Sequence, residues 1–103
     1  MQSQNPFEVL QAESPKVSEA FFGLYGALSS NGVLDTKTFQ LIYIGIKASQ
    51  GNVGSVAAHV PLAKKEGATR EEVRDTILLT LMVSGVDGVA SCLVPALEAY
   101  DNA

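Results

Sequence analysis

His59 is the only histidine in this sequence and the only side chain that titrates near neutral pH without a shifted pKa. Ser55 stands four residues before it and Asn52 seven residues before it, so in a helix all three share one face. Val56 and Val60 flank this polar stripe and would supply an apolar wall. Polar groups beside an apolar wall are typical of small-molecule pockets, so the stripe predicts a ligand site in which His59 transfers a proton.

Two other interpretations of the stripe remain. The histidine could be half-buried and hydrogen-bonded by Ser55 for packing alone, which from spacing alone is the commoner case, because buried polar groups usually need a partner. Ser55 and His59 could also form a nucleophile and its base. The sequence shows neither a nucleophile elbow nor a carboxylate placed to orient the imidazole, so this last interpretation is disfavoured.

The other side chains with ligating chemistry indicate neither a metal nor a cofactor. One histidine, one cysteine, and carboxylates mostly at capping positions or on solvent faces supply no converging ligand set. The sequence has neither a GxGxxG motif nor a P-loop, and the run Gly85-Val86-Asp87-Gly88 is better explained as a break between helices. We therefore expect no metal site and no cofactor.

Cys92 is the only cysteine, which excludes an internal disulfide and an attacking and resolving pair of thiols. A lone thiol suits a reducing compartment, although an intermolecular disulfide stays open. Residues 1–5 are polar and contain no basic segment followed by an apolar core. These features together predict a cytoplasmic protein.

Length and composition predict a single domain, residues 1–103, that associates with copies of itself. Hydrophobic residues make up 47% of the chain and charged residues 17%, whereas an ordinary soluble domain has about 25% charged residues. A domain of this length buries only about two thirds of its unfolded surface, so part of the apolar excess needs a second copy to cover it. The alternative is a monomer with scattered apolar surface groups.

Charge and hydropathy patterning exclude two classes of partner. The net charge is −4 with seven lysines and arginines, which leaves no basic stripe for phosphates, so we expect no nucleic-acid partner. Residues 76–97 carry one formal charge and match the length of a bilayer-spanning helix. The glycine-flanked Asp87 interrupts that segment, so we expect two helices there and no membrane span.

Glycine and proline divide the chain into segments of helical periodicity, and we predict an all-α fold, a compact antiparallel bundle of five or six helices. Val17, Phe21, Leu24 and Leu28 share one face of the second helix, which we expect to pack into the core. The predicted helices cover residues 6–12, 15–31, 36–49, 53–66, 70–83 and 87–100, and the spacing of Thr69 and Glu72 predicts a capping box at the start of the fifth.

The third predicted helix is apolar nearly all round over residues 39–46, which is typical of a helix at the centre of a fold or in an interface. The β-branched residues Ile42, Ile44 and Ile46 would also suit a buried strand. Asp35 is a good N-cap, and the segment is long, so helix is the favoured interpretation.

Three segments of the chain resemble the carboxymuconolactone decarboxylase family, which includes the alkylhydroperoxidase D-like proteins. They are Leu34-Asp35-Thr36-Lys37, the stretch from Gly51 to Val60 that contains His59, and the run from Glu66 to Val73. The resemblance covers about residues 20–100. It implies an all-helical fold that assembles as homotrimers or homohexamers.

The resemblance also places the candidate site residues. In the redox-active branch of the family the fourth helix begins with a Cys-x-x-Cys motif and carries a histidine four residues after the second cysteine, with a glutamate on the preceding helix. The matching positions here are Asn52, Ser55, His59 and Gln40, so only the histidine is retained. Gln40 cannot accept a proton as a carboxylate would. The lactone decarboxylase branch lacks the two cysteines and keeps a histidine near a Gly-Asn like Gly51-Asn52.

Three functional hypotheses follow. The first is a cofactor-free enzyme that acts on a small organic acid or lactone, in which His59 moves a proton while Gln40, Asn52 and Ser55 form hydrogen bonds to the substrate. The second is a non-catalytic oligomer that binds an apolar small molecule in the same pocket or serves as a scaffold. The third, peroxide or disulfide reduction, is disfavoured because the two cysteines are missing.

Overall fold

The computed structural model describes residues 5–103, apart from the side chain of Asn31. The polar start of the chain therefore lies almost entirely outside the described residues. The helices are α1 Pro6–Glu13, α2 Pro15–Asn31, α3 Thr36–Ser49, α4 Val53–Lys65, α5 Arg70–Leu79 and α6 Asp87–Asp101, with a 3-10 helix at Thr80–Met82 after α5. No strand occurs among the described residues, so the all-α prediction is confirmed and the alternative strand in α3 is wrong.

The end of α5 differs from the prediction, which continued this helix to Val83. The α-helix stops at Leu79 and the chain turns through the 3-10 helix instead. The buried Thr80 side chain donates a hydrogen bond to the Ile77 carbonyl at 2.7 Å, which suits the tighter 3-10 turn. Gly85, with φ at +87°, then reverses the chain before α6, where the sequence predicted a break.

Local capping explains where two of the helices begin. Asp35 Oδ1 accepts from the Thr38 backbone N–H at 2.8 Å at the start of α3. At the start of α5 the Thr69 hydroxyl accepts from the Glu72 N–H at 3.0 Å, and Glu72 Oε1 accepts from the Thr69 N–H at 2.9 Å. The predicted capping box is thereby confirmed.

Removal of the Thr69 cap should destabilise the fold measurably. Thr69→Ala is expected to lower the free energy of unfolding by about 0.5–2 kcal/mol, because it leaves a backbone N–H of α5 without its acceptor. Urea titrations followed by circular dichroism measure the loss. Thr36→Ala, at an exposed position of α3, is the matched control and should change stability little; equal losses in both variants would contradict a capping role.

The same caps make stability sensitive to acid. Hydrogen bonds from backbone N–H groups lower the pKa of Asp35, and those from Thr69 and then Lys37 lower the pKa of Glu72, below their ordinary values of 3.8 and 4.5. A carboxyl with a lowered pKa stabilises the fold above the unfolded-state pKa, and that contribution is lost as pH falls through the folded-state pKa. The contribution of these two carboxyl groups to the free energy of unfolding is therefore expected to decrease as the pH falls below about 4.5.

The chain divides into two compact units, of which the first extends to Val33 and contains α1 and α2. Aromatic rings join these two helices: the Phe7 ring centroid lies 6.0 Å from that of Phe21 and 5.6 Å from that of Phe22. The predicted core face of α2 is nevertheless 44–59% exposed at Val17, Phe21, Leu24 and Leu28. The expectation that this face packs into the core was wrong. A single domain over residues 1–103 stays a prediction.

The second unit, Leu34–Ala103, holds α3 to α6 around its own core. Its largest fully buried side chains are Ile44, Val56, Val60, Val73, Ile77 and Cys92. α4 packs against α3 and α6, and α5 packs against α3 and α6. This arrangement places one face of α4 against α3, and that contact positions the candidate site.

None of the helices described is long and apolar enough to cross a membrane.

Candidate functional site

His59 lies in the second turn of α4, half-buried, between the fully buried Val56 and Val60. Its Nδ1 is 2.8 Å from Oε1 of Gln40 on α3. A carbonyl oxygen only accepts hydrogen bonds, so the imidazole donates from Nδ1. The neutral ring in this tautomer carries its acceptor lone pair on Nε2.

Two further side chains of α3 lie near the imidazole. The Tyr43 ring stacks on the His59 ring, with 3.9 Å between the ring centroids and 25° between the ring planes. One turn further along α3, Lys47 Nζ lies 5.8 Å from the centroid of the Tyr43 ring. Gln40 fixes the ring nitrogen and Tyr43 fixes the ring plane, so the imidazole is held in one orientation.

The environment of His59 favours its neutral form. Its pKa lies below the ordinary value of 6.5, mainly because burial penalises the imidazolium, and further because the Lys47 ammonium repels a second positive charge. At neutral pH the ring is therefore unprotonated and able to accept a proton. A histidine in this state is suited to act as a general base.

The other two predicted site residues lie at the start of α4. Asn52 is the exposed N-cap of α4, and its Oδ1 accepts from the Ser55 backbone N–H at 3.1 Å. Ser55 is half-buried one turn before His59. A nucleophile and base pair of Ser55 and His59 stays the disfavoured interpretation. Substrate contacts by Asn52 and Ser55 stay a prediction.

Of the four predicted site residues, the structure thus brings Gln40 and His59 into direct contact and leaves Asn52 as a helix cap. Tyr43 and Lys47 were missed by the sequence reasoning. Their spacing of three and seven residues from Gln40 places all three on one face of α3, and that spacing is the signal that could have found them.

Ligating groups elsewhere in the described residues form no cluster of three or more that could hold a metal ion. Cys92 is a free thiol that is 0% exposed in α6, with its Sγ 3.6 Å from the Ser91 hydroxyl. A thiol with no exposed surface is inaccessible to a peroxide or a disulfide in this conformation.

The geometry defines an all-helical protein with a histidine and a glutamine paired across two neighbouring helices. The carboxymuconolactone decarboxylase family model matches residues 15–98 of the chain. The chain therefore belongs to the carboxymuconolactone decarboxylase family, which confirms the resemblance inferred from its sequence.

Two proteins illustrate the similarity. The uncharacterized protein MJ0742 of Methanocaldococcus jannaschii is 31% identical over 80 residues, which cover 77% of this chain and 77% of the relative. The crystal structure of apo-lpg0406, a carboxymuconolactone decarboxylase family protein from Legionella pneumophila, superimposes with a TM-score of 0.83 at 27% sequence identity. That match covers 94% of this chain and 86% of the Legionella chain.

Proposed function

We propose that this protein is a cofactor-free enzyme that transfers a proton on a small organic acid or lactone, in a reaction of the decarboxylase type. The observation that carries the proposal is the neutral His59 imidazole, held by Gln40 at 2.8 Å and stacked on Tyr43. Membership of the carboxymuconolactone decarboxylase family supports the reaction class.

The chemistry assigned to His59 is a proton relay. Nε2 takes a proton from the acid group of the substrate, while the Nδ1–H stays bonded to Gln40. When the bond between the substrate carbon and its carboxylate breaks, CO₂ leaves and the electron pair remains on that carbon. The imidazolium then delivers its proton to the carbon, which restores the neutral histidine. Asn52 and Ser55 are proposed to form hydrogen bonds to the substrate from the start of α4.

A screen for turnover tests this proposal. Small lactones and β-keto acids are incubated with the protein, with and without EDTA, and the release of CO₂ and the loss of substrate are followed. We expect turnover that EDTA does not reduce. Saturable binding of the same compounds without turnover would contradict the enzyme proposal and favour the second candidate function.

The second candidate is a non-catalytic oligomer that binds an apolar small molecule or acts as a scaffold. An apolar groove of about 290 Å³ favours it, lined by Leu41, Ile42, Gly45, Ile46, Ser49, Thr76, Leu79, Thr80 and Val83. None of the four predicted site residues lines this groove, so an apolar ligand would bind away from His59. The glutamine at position 40, where the thiol branch has glutamate, also favours binding over catalysis.

Peroxide or disulfide reduction remains the disfavoured third candidate. Positions 52 and 55 carry asparagine and serine, and the one thiol, Cys92, is buried in α6. Thiol redox turnover needs an attacking thiolate and a second thiol to resolve the product.

We also propose a cytoplasmic location. The lone free cysteine supports it, because a thiol without a disulfide partner suits a reducing compartment.

We propose that the chain forms a homotrimer or homohexamer. The exposed apolar side chains on α2, together with Ile42 and Ile46 on α3, which are 46% and 54% exposed, support this assembly. Sedimentation equilibrium at micromolar concentration should therefore give a mass three or six times that of the chain. A species of 10.8 kDa would contradict the proposed assembly.

A further inference from the structure

The apolar groove between α3 and the end of α5 is bordered by large side chains that are open to solvent. Ile42 and Ile46 of α3, together with Leu79 and Val83, line it and are 46–74% exposed. Met82, which immediately precedes Val83, is 83% exposed. The described residues that line the groove are all uncharged. We call these five residues, Ile42, Ile46, Leu79, Met82 and Val83, the α3–α5 patch.

The hydroxyl groups in the groove are already bonded within their own helical segments. Ser49, Thr76 and Thr80 line the groove. Each donates to a backbone carbonyl three or four positions earlier, at 2.7, 2.8 and 2.7 Å. Sites for polar small molecules orient their ligand through a few polar groups. Because these donors are occupied, the groove is better suited to the apolar side chains of another protein surface.

The exposed area of the α3–α5 patch is in the range of a protein interface. A fully exposed aliphatic side chain presents about 60–120 Å² of apolar surface, so at its exposed fractions the patch presents roughly 200–400 Å². A stable interface buries about 800 Å² on each partner, of which about 450–500 Å² is apolar. The patch alone therefore supplies about half or more of the apolar area that one partner needs.

The α3–α5 patch also combines a recess with a projecting side chain. Met82 is the most exposed member of the patch, and its flexible thioether chain is suited to fill an irregular apolar recess. In a two-fold contact the same surface meets itself, so each copy gives what it also receives. Each Met82 can then enter the groove of the other copy, which makes the patch self-complementary.

We propose that the α3–α5 patch packs against the same patch of a second copy of this chain in a two-fold contact. This inference rests on the proposed assembly and narrows it. A ring of three copies has no two-fold axis, so the contact selects the homohexamer, in which two trimers are joined through their patches. The apolar face of α2 is the other exposed apolar surface, and it is left to form the three-fold contact.

Sedimentation equilibrium over a range of micromolar concentrations tests the inference. The wild-type protein should have six times the mass of the chain. Ile46→Glu places two glutamates in each contact and should weaken it by at least about a hundredfold, because the carboxylates lose hydration and repel each other. The expected species is a trimer. Val94→Glu is the matched control, at a 62% exposed position of α6 that does not line the groove, and should remain hexameric.

Three further variants assign the contacts to their surfaces. Val83→Glu changes another residue that lines the groove and should also give trimers. Leu24→Glu changes the apolar face of α2 and should leave dimers, because the patch is intact. Ile46→Leu keeps an apolar side chain of the same size and should retain the hexamer.

Several outcomes would overturn the two-fold contact. They are a wild-type trimer, a hexamer that both Ile46→Glu and Val83→Glu leave intact, or dimers from Ile46→Glu together with trimers from Leu24→Glu. An intact hexamer in both variants would leave the groove to an apolar small molecule. A wild-type monomer would refute the proposed assembly as well, whereas a wild-type trimer would refute this inference alone. If circular dichroism shows that Ile46→Glu does not fold, Val83→Glu, at a 74% exposed position, decides the question.

Discussion

Replacement of His59 by glutamine is expected to lower turnover of the acid or lactone substrate by roughly 10²–10⁴-fold, the usual contribution of a general acid or base. Glutamine can still donate a hydrogen bond to Gln40, so a side-chain hydrogen bond between α4 and α3 can still form at this position. It cannot take up or release a proton, so the relay through Nε2 is lost. Steady-state kinetics on a substrate found in the screen measure the effect.

The pH dependence adds a second signature of the same residue. A base must be unprotonated to act, so the rate should fall as pH decreases through the pKa of His59. Burial and the Lys47 charge place that pKa below 6.5, so the wild-type rate should be constant through neutral pH and decline only on the acid side. The rate of His59→Gln should not show this decline at acid pH.

A structural role for His59 predicts a different result. Loss of a half-buried hydrogen-bonded group would then lower the free energy of unfolding by about 1–3 kcal/mol and leave the rate of the folded protein unchanged. Ala58→Gln, at an exposed neighbouring position of α4, is the control for the introduction of a glutamine. An unchanged rate in His59→Gln would refute the catalytic assignment.

Replacement of Gly88 by alanine is expected to give the largest loss of stability among the glycine substitutions. A Cβ atom at this position would lie 2.7 Å from the backbone oxygen of Ala48 and 2.9 Å from the hydroxyl oxygen of Thr80. The first of these is backbone, so α6 would have to move away from α3 to accommodate the methyl group. Overpacking of this kind costs about 1–3 kcal/mol.

Thermal and urea denaturation measure this effect. For a domain of this size each 1 kcal/mol corresponds to about 4–8 °C in melting temperature. Gly54→Ala is the matched control: the nearest atom to a Cβ at Gly54 is Asn52 Oδ1 at 3.9 Å, an ordinary contact, so stability should change by less than about 1 kcal/mol. If Gly88→Ala proves as stable as Gly54→Ala, the close packing of α6 on α3 is wrong.

Short-range patterns in the sequence predicted most helix boundaries closely, and the end of α5 is the exception. The capping box at Thr69 and Glu72 and the Asp35 cap both occur as expected, and α3 has the predicted ends. Cap hydrogen bonds join residues three positions apart, so both partners are visible in a short window of sequence. A short window could not reveal the second role of Gly88. It was predicted as part of a break, but its small size also permits the close contact with Ala48, which lies in α3.

The sequence by itself determined the all-helical fold, the family and the histidine on which the site is built, because helical periodicity, caps and motifs are local properties of the chain. It did not determine which side of α3 meets that histidine. Residues 39–46 at the centre of α3 are mostly apolar, so their pattern alone did not select the face that meets α4, and the apolar face of α2 was wrongly expected in the core. Only the packing of α4 on α3 joins Gln40 to His59, 19 residues later, and places Tyr43 and Lys47 beside them. That choice depends on the simultaneous fit of α3, α4, α5 and α6 around one core, which no single segment encodes.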